Sequence, residues 1–131
     1  MKSRYKPEGY NSASVYIMAE GAQRVIDFLI GVFGATESRR FDNPDGSIMH
    51  AEVKIDDTVV MLADAGGNFP AFPVWVHVYV PDVDAVYRRA LDLGAESAQE
   101  PTRREGEPDR RGGFKDPAGN TWWVAEQKDE G

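Results

Sequence analysis

The chain has 131 residues, with 41% apolar and 28% charged side chains, a net charge of −7 and an isoelectric point near 4.8. That is enough chain for one domain with a hydrophobic core, and the acidic balance argues against a nucleic-acid binder, which would carry a basic footprint. With no cysteine, disulfides, thiolate zinc sites and a cysteine nucleophile are excluded, and the composition fits a reducing cytoplasm.

The opening stretch MKSRYKPEGY has no apolar segment of the kind a secretory signal needs, and no apolar run approaches the ~20 residues of a membrane span. Strand-like alternation begins near Val15 and places Ser14, Tyr16 and Met18 on one face. A helical period follows, with Val25, Phe28, Leu29, Val32 and Phe33 on one stripe, and Gly34 stands where a left-handed residue closes a helix. Three strands are expected next, over 35–42, 47–55 and 58–64, separated by the turn signals NPDG (43–46) and DD (56–57). The segment AGGNFPAFP (65–73) reads as a linker, and its two phenylalanines fit either a core plug or a pocket rim.

VWVHVYV (74–80) is the clearest strand signal in the chain. Val74, Val76, Val78 and Val80 share the face suited to packing under a helix. Trp75, His77 and Tyr79 share the other face, which is bulky, flat and polar-tipped. Such a face is either the wall of a pocket or part of a closed core. A second helix is predicted with Asp82 as N-cap, Val83, Val86, Tyr87, Ala90 and Leu91 buried, and Gly94 at its end. Three more strands are expected over 96–102, 111–115 and 120–126, broken by REGEPD (104–109) and DPAGN (116–120). The stretch PTRREGEPDRR (101–111) has four arginines against three acids and reads as a surface loop, a candidate lid beside a pocket mouth.

The chain therefore repeats itself. VYIMAEGAQRVIDFLIGVFGA (from Val15) and VHVYVPDVDAVYRRALDLGA (from Val76) each run from a strand through a helix to Gly-Ala. The expected fold is α+β: two βαβββ modules, at about 12–64 and 74–126, joined by the 65–73 linker within a single domain. No local nucleophile signature and no glycine-rich phosphate loop is present.

This doubled unit, with HAEVKIDDTVVMLAD (50–64) ending the first half and DPAGNTWWVAE (116–126) ending the second, resembles the vicinal oxygen chelate superfamily of glyoxalases, bleomycin-resistance proteins and extradiol dioxygenases. The resemblance covers nearly the whole chain. It implies curved mixed sheets around a cavity with helices outside, and a homodimer with pockets built from both copies. Enzymes of the group hold a divalent metal with His and Glu from the first and last strands of the modules. Carried onto this chain, those places fall on Ser14, Met61, Trp75 and Trp123. A hydroxyl, a thioether and two indoles are poor ligands for such ions.

The resemblance thus implies a metal-free binding protein of the bleomycin-resistance type, without cofactor, that sequesters a planar or aromatic small molecule. Trp75 and Trp123 would stack on it, Tyr16, His50 and His77 would make polar contacts, and Met61 and Phe41 would add apolar wall. Trp122, Val124 and Glu126 alternate onto the other face of the last strand, with Glu126 expected as a solvated rim residue. Three alternatives stay open. His50, His77 and Glu52 could form an unconventional metal site in a glyoxalase- or dioxygenase-type enzyme. The cavity could be filled by its own side chains. Each histidine could be a satisfied polar residue of a packed sheet.

Overall fold

A computed structural model describes residues 5–127. Two four-stranded sheets are built from β1 (Tyr16–Ala19), β2 (Thr36–Asp42), β3 (Ile48–Ile55) and β4 (Thr58–Asp64), then β5 (Trp75–Tyr79), β6 (Glu96–Thr102), β7 (Asp109–Lys115) and β8 (Thr121–Gln127). Their orders are β1-β4-β3-β2 and β5-β8-β7-β6. Helix α1 (Ala22–Phe33) follows β1 and α2 (Val83–Asp92) follows β5, so the βαβββ unit occurs twice. Only the first and last strands of each unit pair in parallel, β1 with β4 and β5 with β8.

Each helix starts and stops as its sequence directs. The Asp82 side chain accepts from the Ala85 N–H, capping α2. Helix α1 begins at Gly21, which has no side chain to cap with, and Asp64 at the end of β4 accepts from the Ala22 N–H instead, at 2.8 Å. Glu126, near the end of β8, does the same for α2 by accepting from the Val83 N–H at 2.9 Å. Each module thus closes its last strand onto the positive end of its own helix, and Glu126 is a capping acceptor rather than the solvated rim residue expected. At the far end Gly34 (φ 68°) turns left-handed, its N–H and that of Ala35 returning to Ile30 O and Leu29 O.

One hydrophobic core spans both modules. Val25, Ile26, Phe28, Leu29 and Val32 of α1 are buried with Val83, Val86 and Ala90 of α2 and with Phe114 and Trp122 of the second sheet. Phe33 lies 5.5 Å from the Trp122 ring, and Phe28 meets Phe114 edge-on at 5.9 Å. Arg89 binds the two modules further by donating to Val32 O. Leu91, expected in the core, is exposed instead: α2 ends one residue later, and its apolar stripe has already turned past the sheet.

The outermost strands carry charge. Strand β2 is exposed along its length with Glu37, Arg39, Arg40 and Asp42, and β6 carries Glu96, Glu100 and Pro101. The ladders of both strands with their neighbours slip register.

Candidate functional site

Alternation in β1, β4, β5 and β8 leaves one face of each sheet turned away from the helices. In the first sheet Met61 stands opposite both Tyr16 and Glu52, and Phe41 opposite His50, so all five share that open face. In the second sheet His77 stands opposite Trp123, with Trp75 and Tyr79 alternating to the same side. The two sets do not share a cavity within one chain. Trp75, His77 and Trp123 line a cavity of about 510 Å³ together with Gln99, Thr102, Arg104, Glu107 and Arg111, all from the second module. Tyr16 lines a separate cavity of about 870 Å³ with Met18, Met49, Phe69 and Phe72, so the linker phenylalanines form pocket wall and are not core plugs. Phe41, His50 and Met61 line neither of these two cavities.

The tryptophan cavity is a corner. The rings of Trp75 and Trp123 lie 5.3 Å apart at 69°. They are therefore not two parallel plates, and a planar guest can lie flat on one ring while meeting the other edge-on. Trp123 lies across Gly113 on the neighbouring strand: a Cβ there would come within 2.6 Å of its ring. Its indole N–H is buried and has no acceptor. Trp75, 75% exposed, stands open at the mouth. The 103–108 loop brings Arg104 and Glu107 to the cavity, while Asp109 and Arg110, expected in that loop, begin β7.

A polar row runs beside the tryptophans. Arg111 donates through Nε to His77 Nε2 at 3.3 Å and through Nη2 to Asp109 at 3.3 Å, and Tyr79 Oη donates to Asp109 at 2.8 Å. Burial, then the adjacent Arg111 charge, holds the His77 imidazole below its ordinary value, against the pull of Asp109. His77 therefore accepts at Nε2 as a neutral ring and carries its proton on Nδ1. The expected result is an NMR titration of His77 centred below the usual imidazole value of about 6.5. Arg111→Gln should move it part of the way back up, and a normal midpoint in the parent protein would refute the account. Because the native ring takes its proton at lower pH than the unfolded ring, this group's contribution to stability is lost as pH falls through the ordinary imidazole range.

The first sheet carries a second row, built on a carboxylate. Glu52 is 3% exposed. It accepts from Tyr10 Oη and pairs through Oε2 with His50 Nε2 at 2.7 Å, while His50 Nδ1 meets Tyr16 Oη at 2.8 Å. Burial pushes the Glu52 carboxyl up, but the hydrogen bonds from Tyr10 and His50, with the His50 and Arg39 charges, outweigh it and hold the group below its usual range. Burial, then the Glu52 charge, raises the Tyr16 phenol. Nothing in the sequence singles out Tyr10. It arrives on an N-terminal segment with no periodicity, fixed by Asn11 accepting from the Val59 N–H.

The four places at which the resemblance implies metal ligands do not fit a divalent cation, because Ser14, Met61, Trp75 and Trp123 offer no imidazole or carboxylate. The unconventional set does not assemble within one chain either. His50 and Glu52 are spent on each other, and His77, on the other sheet, is paired with Arg111. Among the described residues, Asp82, Asp84 and Glu126 are the acidic group that gathers within 4.8 Å. Asp82 and Glu126 cap α2, and Asp84 is held bidentately by Arg110.

Two βαβββ units with facing first and last strands define a class of paired-module proteins. The profile of the Glyoxalase/Bleomycin resistance protein/Dioxygenase superfamily matches residues 12–124, and the chain belongs to that superfamily. It is 35% identical to the uncharacterized protein Mb0911c of Mycobacterium bovis, over 83% of this chain and 78% of that one. Among solved structures it is similar in fold to TioX from Micromonospora sp. ML1, with a TM-score of 0.71 and 23% identity over 92% of this chain and 99% of that one. It is likewise similar to TnmS3, an antibiotic binding protein from Streptomyces sp. CB03234, with a TM-score of 0.70 and 20% identity over 90% and 98% of the two chains. No helix among the described residues is long and apolar enough to cross a membrane.

Proposed function

We propose that this chain is a metal-free binding protein of the cytoplasm that sequesters a planar or partly aromatic small molecule, such as an antibiotic, without transforming it. The observation that carries this reading is the Trp75–Trp123 corner over a cavity of about 510 Å³, at two of the places where the resemblance implies metal ligands. An aromatic contact adds ~0.5–1.5 kcal/mol beyond buried area, so two indoles with burial suffice for micromolar affinity. TnmS3, similar in fold, is an antibiotic binding protein, which supports this class of ligand.

The working unit in this reading is a homodimer. One chain leaves Phe41, Met49, Phe69, Phe72, Trp75 and Tyr79 exposed, large side chains that a second copy would cover. A second copy would set the Tyr16–His50–Met61–Phe41 face of one chain against the tryptophan face of its partner and enclose a pocket from both. Isothermal titration with planar natural products tests the reading. Trp75→Ala or Trp123→Ala should weaken binding tenfold or more, and sedimentation should give a dimer. Unchanged affinity in both variants would remove the tryptophans from the site. Stoichiometric divalent metal in the purified protein would favour an enzyme over a binder.

A further inference from the structure

Resting on that reading, we propose that the Tyr10–Glu52–His50–Tyr16 chain makes the open face of the first sheet a subsite for a hydrogen-bond donor: a phenol, an amide N–H or an ammonium group carried by the aromatic guest. The argument follows the protons. The ionised Glu52 carboxylate can only accept, and it takes the Tyr10 hydroxyl and the His50 Nε2–H. In the neutral form of the His50 ring, a proton on Nε2 facing Glu52 leaves a lone pair on Nδ1. The sole hydroxyl proton of Tyr16 satisfies that lone pair at 2.8 Å. Tyr16 therefore turns oxygen lone pairs toward the cavity it lines and cannot donate outward without breaking its bond to His50.

The other module shows that this polarity is specific. Glu52 stands opposite Met61, and Gly113 opposite Trp123, so the residue two before each, His50 in one and Arg111 in the other, holds the equivalent place. Arg111 brings only donors.

The difference matters because a site committed to one partner leaves an unmatched group when the wrong guest arrives, which costs more than a weak fit. The test uses the full chain with three probes of equal ring area: β-naphthol, its methyl ether and β-naphthoate. Binding is read by tryptophan fluorescence and titration calorimetry. β-Naphthol should bind about tenfold or more tightly than the ether or the naphthoate. Tyr16→Phe should bring it to within about twofold of the ether. Trp123→Ala should weaken all three together.

Equal binding of naphthol and ether in the parent protein, or a preference that survives Tyr16→Phe, overturns the donor subsite and leaves the aromatic pocket standing. No response to any probe overturns both. Nitrogen NMR of the His50 ring gives a reading that does not depend on a variant folding: the proton should sit on Nε2, and the Nδ1–H tautomer would overturn the proposal.

Discussion

Replacing Asp116 by alanine is expected to destabilise the chain by about 3 kcal/mol and to lower its melting temperature by roughly 10 °C. Asp116 is buried in the DPAGN turn. Its carboxylate accepts from the backbone N–H groups of Ala118 (2.8 Å) and Asn120 (3.1 Å), from Asn120 Nδ2 (3.0 Å) and from Trp122 Nε1 (2.8 Å). Alanine would strand the indole N–H of a fully buried tryptophan and the side-chain amide of Asn120 beside it. A buried donor without an acceptor costs roughly 1–3 kcal/mol. The damage also reaches the site, because Asn120 Oδ1 accepts from the Val74 N–H and so fixes the start of the strand that carries Trp75. Asp116→Asn should recover only part of the loss, since its amide NH₂ would face other donors. Chemical denaturation checks both variants, and an alanine variant within about 0.5 kcal/mol of the parent would refute the account.

The second large effect is expected at Gly113. Its backbone is not left-handed, so the glycine is not required by the turn of the chain. It is required by Trp123, whose Cε3 and Cζ3 would lie 2.6 and 2.7 Å from an added Cβ. The six-membered ring is a rigid plate and cannot bend a far end aside. Gly113→Val should cost about 1–3 kcal/mol as an overpacked site. It should also swing Trp123 off the sheet, opening the corner with Trp75, shifting tryptophan emission to the red and reducing ligand affinity about tenfold or more in line with the loss expected for Trp123→Ala. Retained affinity and an unshifted spectrum would show that the indole has another place to lie.

Much of the fold was legible because alternation and helical periodicity are local. The strands at 58–64 and 96–102 and the N-cap at Asp82 fall where the pattern placed them. The faces of Tyr16, His77 and Trp123 followed from the same period of two. Leu91 shows its limit: a stripe says which side of a helix is apolar and not where the underlying sheet ends. Glu126 escapes the local pattern because its partner, Val83, lies 43 residues away. Tyr10 and Glu52 are 42 residues apart and no repeat links them, so the row they anchor could be found only in three dimensions. The angle between Trp75 and Trp123 was equally out of reach, since spacing gives a side chain's face and not its tilt.

The rims of the two sheets explain why a chain with such greasy flat sides can remain dispersed. An outer strand offers unpaired N–H and C=O groups to any other strand, and long, flat, apolar edges grow into fibrils. Here an added strand would lie against a picket of charges on β2 and a proline on β6, along ladders whose irregular register offers no continuous template. The remaining edges, β1 and β5, are only four and five residues long. Stickiness is thus confined to the broad surfaces, where it can recruit a guest, and kept from the borders, where it would seed amyloid.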